Sequence, residues 1–283
     1  MARIAIVTDS TSDIPPELAQ RHRIIVVPQV LIWGSETFAD GVNIHPAEFY
    51  ARLKTATVMP STSQATVATF MKIFQELLDQ DYQILAILVS DKLSGTINSA
   101  MQAKEHLPAG APIEVVDSQS VSMALGFNVL NVARAVQQGA NMSEAIALAN
   151  QGVAHTGVVL TVDTLEFLYR GGRIGSGSRF MGTALNIKPI LEVRDGRVEA
   201  VERVRTRGKS LNRVVDLVEA QIGGQTPVHI AALHANSEAD ARILLDDACG
   251  RINVEEKIFS IVGPVVGTHA GPGTVGLAYM AGM

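Results

Sequence analysis

Three short segments concentrate side chains that can hold or transfer a charged group: Pro60-Ser61-Thr62-Ser63-Gln64, Leu93-Ser94-Gly95-Thr96 and Gly267-Thr268-His269-Ala270-Gly271-Pro272-Gly273. Serine and threonine hydroxyls, freed backbone N–H groups and the positive end of a helix dipole together favour a bound anion. Each segment also has a plainer use. Ser and Thr ahead of a helix ordinarily cap it, and a lone histidine in a glycine-rich loop, as His269 reads here, is more often structural than functional. A sharper chemistry draws on the same residues. Ser94 as nucleophile, His269 as base and Asp9, Asp91 or Asp117 as orienting acid would make a serine hydrolase acting on an acyl ester. Ser94 is not in a Gly-x-Ser-x-Gly elbow, however, and the adjoining Gly95-Thr96 serves a static anion cradle equally well.

The segment Arg170-Gly171-Gly172-Arg173-Ile174-Gly175, with Arg179 beyond it, is basic and glycine-rich. It reads either as a solvated turn or as a docking site for a partner or a phosphate group, which arginine pairs bidentately. Nucleotide motifs are missing: there is no Gly-x-x-x-x-Gly-Lys-Ser/Thr, and Gly175-Ser176-Gly177-Ser178-Arg179-Phe180 lacks the last glycine of the dinucleotide pattern. The seven histidines are scattered and the acidic residues form no calcium loop, so neither a metal nor another cofactor is expected.

These residues need elements to position them. The first half repeats a short apolar strand, a polar loop and a helix: Ile4 to Val7 before Thr8-Asp9-Ser10-Thr11-Ser12-Asp13, Ile84 to Val89 before Ser90 to Thr96, and Ile113 to Val116 before Asp117-Ser118. Such alternation predicts a largely parallel sheet covered by helices, with ligands at the carboxyl ends of its strands. Apolar residues from Val67 to Leu78 follow helical spacing, so a helix is expected over roughly 64–79 with Ser61, Thr62 and Ser63 at its start. Arg23 to Trp33 reads as one long strand. After Ala154 come a strand (157–162), a short helix (164–170), a hairpin turning at Asp195-Gly196, helices at 209–221 and 237–250, and strands at 228–233 and 257–262. The expected fold is two α/β domains, residues 1–155 with a largely parallel sheet and residues 156–283 with a mixed sheet and helices.

A net charge of -5 and a pI near 5.8 argue against nucleic acid or an anionic membrane as the main partner. The single cysteine, Cys249, forms no internal disulfide, and MARIAIVTDS runs into a strand without a signal-peptide pattern, so a cytoplasmic location is expected. Gln119 to Ala133 and Ile258 to Met283 carry no Asp, Glu, Lys or Arg. Neither suits stable membrane insertion: the first is too short, and the second, broken by glycines and prolines, reads as buried strands joined by a glycine-rich loop.

In this order the segments resemble the DegV family of bacterial proteins, over essentially the whole chain. The likeness rests on Thr8 to Asp13, Pro60 to Gln64, Leu93 to Thr96 with Ser99, Val116-Asp117-Ser118, Leu165 to Leu168 before Arg170 to Ile174, Lys188-Pro189-Ile190 and Gly267 to Gly273. It implies a two-domain lipid-binding protein, not an enzyme by itself, that holds one long-chain fatty acid by its carboxylate. By the resemblance Thr62, Ser94 and His269 bind that carboxylate, with Ser61, Gly95 and Thr96 beside them. It also implies presentation of the acid to a separate ATP-dependent fatty-acid kinase subunit for acyl-phosphate formation, with Arg173 and Arg170 contacting the partner or the phosphate. One departure is visible: family members often place proline after Ser-Thr-Ser-Gln, whereas this chain has Ala65-Thr66.

Overall fold

The computed structural model describes residues 3–180 and 187–283; Met1 and Ala2 of the opening segment lie outside them. Along the chain come β1 (Arg3–Asp9), a 3₁₀ turn (Ser10–Ser12), α1 (Pro16–Arg21), β2 (Ile25–Val27), β3 (Val30–Trp33), β4 (Glu36–Ala39), α2 (Pro46–Leu53), β5 (Ser61–Ser63), α3 (Val67–Leu78), β6 (Tyr82–Leu88), α4 (Thr96–Glu105) and β7 (Ile113–Asp117). Helices α5 (Ser122–Gln137) and α6 (Met142–His155) lead on to β8 (Thr156–Thr161), α7 (Glu166–Arg170), a second 3₁₀ segment (Gly175–Phe180), β9 (Lys188–Arg194) and β10 (Arg197–Val204). Then follow α8 (Arg207–Ile222), β11 (Val228–His234), α9 (Glu238–Arg251), β12 (Glu256–Ile261), α10 (Pro264–Ala270) and β13 (Val275–Ala281).

The four-stranded sheet β2-β1-β6-β7 is wholly parallel. The six-stranded sheet β10-β9-β8-β13-β11-β12 is mixed, with β11 and β12 its one parallel pair among the described residues. Left-handed Asp195 and Gly196 close the β9–β10 hairpin, the two-residue turn whose twist matches its strands. Helices α3 and α4 cover one face of the parallel sheet, and α8 and α9 one face of the mixed sheet. Between the sheets lie α5 and α6, which touch both. The charge-free run that begins at Gln119 is explained by that position, because a helix apolar on every side belongs in a core. The largest hydrophobic cluster accordingly joins Ile6 and Leu85 of the parallel sheet to Val158, Leu233 and Ala278 of the mixed one. Among the described residues no helix is long and apolar enough to cross a membrane.

Three local expectations are corrected. The run from Arg23 to Trp33 is two strands in different sheets, broken at Pro28, which has no N–H to give a ladder, and at buried Gln29. Ser61, Thr62 and Ser63 do not start a helix. They form β5, which pairs with β3 in a small antiparallel sheet β4-β3-β5, and it is Thr66 that caps α3 by accepting the N–H of Thr69. Finally, His269 stands in the last turn of α10, a helix begun by Pro264 at its first turn, and only Gly271 onward is loop.

Candidate functional site

Residues Val265, Val266, His269 and Ala270 are spaced so that they share one face of α10, and that face, with Val262 just before the helix, walls a cavity. The cavity's volume is about 120 Å³. Val89, Leu93 and Val121, beyond the carboxyl ends of the parallel strands, line one side. Opposite them stand Val158, Leu160, Val193, Val198, Leu233 and Gly276 of the mixed sheet, with Leu168 of α7. The lining is therefore mostly aliphatic; Thr62, Ser63, Gln64, Ser94 and His269 come to it from β5, the Leu93-to-Thr96 loop and the end of α10, while Thr11 and Ser122 add hydroxyls near the start of α10.

Thr62, Ser94, His269 and Arg173 all line this cavity. The Thr62 hydroxyl lies 2.7 Å from His269 Nε2. Nδ1 of the same ring is buried without a hydrogen-bond partner among the described residues and packs against the backbone of Gly171, where an added Cβ would collide with it. An unpaired buried acceptor is the tolerable choice for that nitrogen, which assigns the proton to Nε2, donating towards Thr62 and leaving the Thr62 O–H for the cavity. Burial first, and the Arg173 charge second, push the His269 pKa down to about 4, so the ring is neutral near pH 7. Arg173 is tethered by Nε to the Leu93 carbonyl (3.0 Å) and by Nη1 to the Gly171 carbonyl (2.6 Å). Its fixed positive charge therefore stands beside the neutral donors.

The remaining expected residues are placed differently. The Thr96 hydroxyl is buried behind Ser94, 2.8 Å from its Oγ, and does not face the cavity. Gly95 is exposed and caps α4, while Ser61 is exposed on β5; neither lines the cavity. Arg170 is exposed and ion-paired with Glu166 at 2.6 Å, outside the lining. The residues of a hydrolase are not brought into a chain. His269 bonds Thr62 rather than Ser94 and lacks an acid at Nδ1. Asp9 accepts from Thr11 and the Val89 N–H, and Asp117 from the Gln119 N–H.

Two features escaped sequence reasoning. Gln29 lines the cavity and ties the residues after β5 to the start of α4: Oε1 accepts the Ala65 N–H at 2.7 Å and Nε2 donates to Thr96 Oγ1 at 2.8 Å. Ala65 is the departure noted above, and a proline there could not make that bond. Its one signal in sequence was a polar residue after Pro28 in an otherwise apolar run. The second feature is a pair of buried carboxylates that fixes the start of α10. Asp13 accepts the Gly263 N–H (2.9 Å) and the Ser122 O–H (2.5 Å), and Asp40 accepts the Ser10 O–H (2.7 Å) and the Val265 N–H. Burial, opposed in part by those hydrogen bonds, pushes each pKa up to about 7. No group of His, Cys, Asp and Glu side chains among the described residues is arranged to hold a metal.

Comparison with known proteins places the whole chain. The model of the DegV family, described as uncharacterised proteins, matches residues 3–282. A DegV domain-containing protein of Halalkalibacterium halodurans is 34% identical over 282 residues, covering 99% of each chain. Protein DegV of Bacillus subtilis is 30% identical over 277 residues, covering 98% of each. Among solved structures, a Thermus thermophilus DegV family protein described as binding fatty acid superposes with a TM-score of 0.93 at 33% identity, covering 99% of both chains. The B. subtilis structure, described as a fatty acid binding protein, gives 0.89 at 30% identity over 99% of this chain and 100% of that one. The chain belongs to the DegV family.

Proposed function

We propose that this protein binds one long-chain fatty acid, its carboxylate received by Thr62, Ser94 and His269 and its tail lying along α10 against the mixed sheet. The observation that carries this reading is one mostly aliphatic cavity that is lined as well by Thr62, Ser94 and His269, with Thr62 and His269 in hydrogen-bond contact. Burying roughly fifteen methylenes at about 0.8 kcal/mol each offers on the order of 12 kcal/mol before ordering costs, ample for tight retention. A carboxylate entering the same space forfeits its hydration and needs charge-assisted hydrogen bonds in return. Neutral donors backed by Arg173 meet that need. Two relatives of at least 30% identity are described as fatty-acid binders, which supports the same ligand class here.

On this reading the protein is not an enzyme by itself. It presents the bound acid to a separate ATP-dependent kinase subunit, which phosphorylates the carboxylate to an acyl phosphate, and Arg173 faces the partner or the transferred phosphate. The first test is denaturing extraction of purified protein and mass spectrometry of what is released. Near-stoichiometric fatty acid supports the reading; no release, with no uptake of added acids at micromolar concentration, overturns it. Adding a candidate kinase chain and ATP then separates a presenting subunit from a plain carrier, since only the former yields acyl phosphate.

A further inference from the structure

Gln29 is 1% exposed, and its carboxamide lies between one group of fixed role, the Ala65 N–H, and one that can adapt, the Thr96 hydroxyl. The Ala65 backbone N–H can only donate, so the amide atom 2.7 Å from it is oxygen, and Nε2 must then be the atom that donates to Thr96 Oγ1 at 2.8 Å. Thr96 is itself 0% exposed, and its hydroxyl meets one other polar group, Ser94 Oγ at 2.8 Å. In so dry a position an unused O–H forfeits a hydrogen bond, and Gln29 offers it no acceptor. The Thr96 proton is therefore directed at Ser94 Oγ. The Ser94 hydroxyl has no other partner among the described residues, and Ser94 lines the cavity. Its own O–H is left to point there.

We propose that Gln29 is a positioning residue that sets the direction of a relay, Gln29 to Thr96 to Ser94, so that the cavity is offered a donor and selects an anionic head group over an uncharged one. This deepens the fatty-acid reading and rests on it. Both ends of Gln29 are anchored for the task, since its backbone N–H donates to Ser10 Oγ at 3.1 Å while Ser10 donates to Asp40. Successive donors polarise one another, so the last proton of the chain is a stronger donor than an isolated hydroxyl.

Reversing the relay without removing an atom tests it. In Gln29→Glu an ionised carboxylate accepts from both Ala65 and Thr96, which turns Ser94 to donate to Thr96 and leaves only its lone pairs facing the ligand. Dodecanoic acid and 1-dodecanol are titrated into wild type and variant at two pH values. At about pH 6 the buried carboxyl that the substitution introduces is protonated and donates as the amide does, and at about pH 9 it is ionised. Asp40 through Ser10, Asp9 beneath Thr11, and His269 and Arg173 across the cavity are the charged or titratable neighbours. Wild type shares all of them, so its values at the two pH points subtract their effect. The expected result is a fall of about ten- to a hundredfold in the acid-to-alcohol affinity ratio of the variant at the higher pH, recovered at the lower. Thr96→Val, which keeps the volume and removes the middle hydroxyl, lowers the same ratio, and Thr96→Ser restores it. Wild type that binds neither ligand overturns the fatty-acid reading and the relay with it. Wild-type acid binding with an unchanged ratio in both Gln29→Glu and Thr96→Val, in variants whose melting shows them folded, overturns the relay alone.

Discussion

His269 Nε2 lies 2.7 Å from the hydroxyl of Thr62, a residue 207 positions earlier in the chain, and so joins the last turn of α10 to a three-residue strand of the small antiparallel sheet. Neither group carries a formal charge at neutral pH, and an anion entering between them takes over the Nε2–H from Thr62 and meets the Thr62 and Ser94 hydroxyls, with the Arg173 charge beside them. His269→Ala should therefore weaken fatty-acid binding by about 1.5–3 kcal/mol, the range for a hydrogen bond to a charged group, and Ser94→Ala should do likewise. Titration calorimetry measures both, with thermal melting as the fold control. Unaltered affinity in both variants would remove the carboxylate from this end of the cavity.

Gly171 sets the imidazole's place from behind. A Cβ there would collide with His269 Nδ1, and the flexible ring is the partner that must yield. Gly171→Ala should displace the imidazole and cost roughly as much affinity as His269→Ala, about 1.5–3 kcal/mol. The double variant should be no worse than either single one, since both remove the same contact. Additive losses would show that Gly171 acts on the ligand by another route.

Tail selectivity is expected on the mixed sheet. Val193 of β9 is partly buried and lines the cavity, so Val193→Phe adds volume beside the tail proposed above. Long acids should lose affinity and short ones keep it, at about 0.8 kcal/mol for each methylene excluded. A series of saturated acids of increasing length, competed against one another and read by mass spectrometry, checks this. A uniform loss at all lengths would place the tail elsewhere.

Much of this arrangement is legible in the residues. Strand and helix alternation points to the parallel sheet because apolar runs bounded by polar loops carry their own period, and the hydroxyl-rich loops stand where such sheets bind ligands. Thr62, Ser94 and His269 can be named from sequence, but their convergence cannot, because β5 reaches α10 through pairing with β3, and that register is set by long-range partners. His269 reads as a loop residue because glycines on both sides outweigh the helix signal of Pro264 and the two valines after it. Gln29 and the Asp13–Asp40 pair are invisible for another reason. A buried polar residue looks like any other until its partners are known, and here those partners are Ala65, Thr96, Gly263 and Val265.

That carboxylate pair gives the protein a pH signature of its own. Asp13 and Asp40 are raised by burial from 3.8 to about 7, so the folded chain holds protons that the unfolded chain has already released. Their stabilising contribution is complete below about 3.8 and is lost as pH rises through about 7. His269 works in the opposite sense, for its pKa falls on folding from 6.5 to about 4, and the stability it contributes is present above 6.5 and lost as pH drops through that window. The two effects oppose each other between about 4 and 6.5, whereas between about 6.5 and 8 the aspartates act without the histidine. Melting temperature should therefore fall as pH is raised across that upper range. Asp13→Asn keeps an acceptor for the Gly263 N–H while removing the titration, and should flatten the slope. A slope as steep in the variant as in wild type would mean that Asp13 is already ionised in the folded protein at the lower pH, and that the start of α10 is held by a charge rather than by a protonated acid.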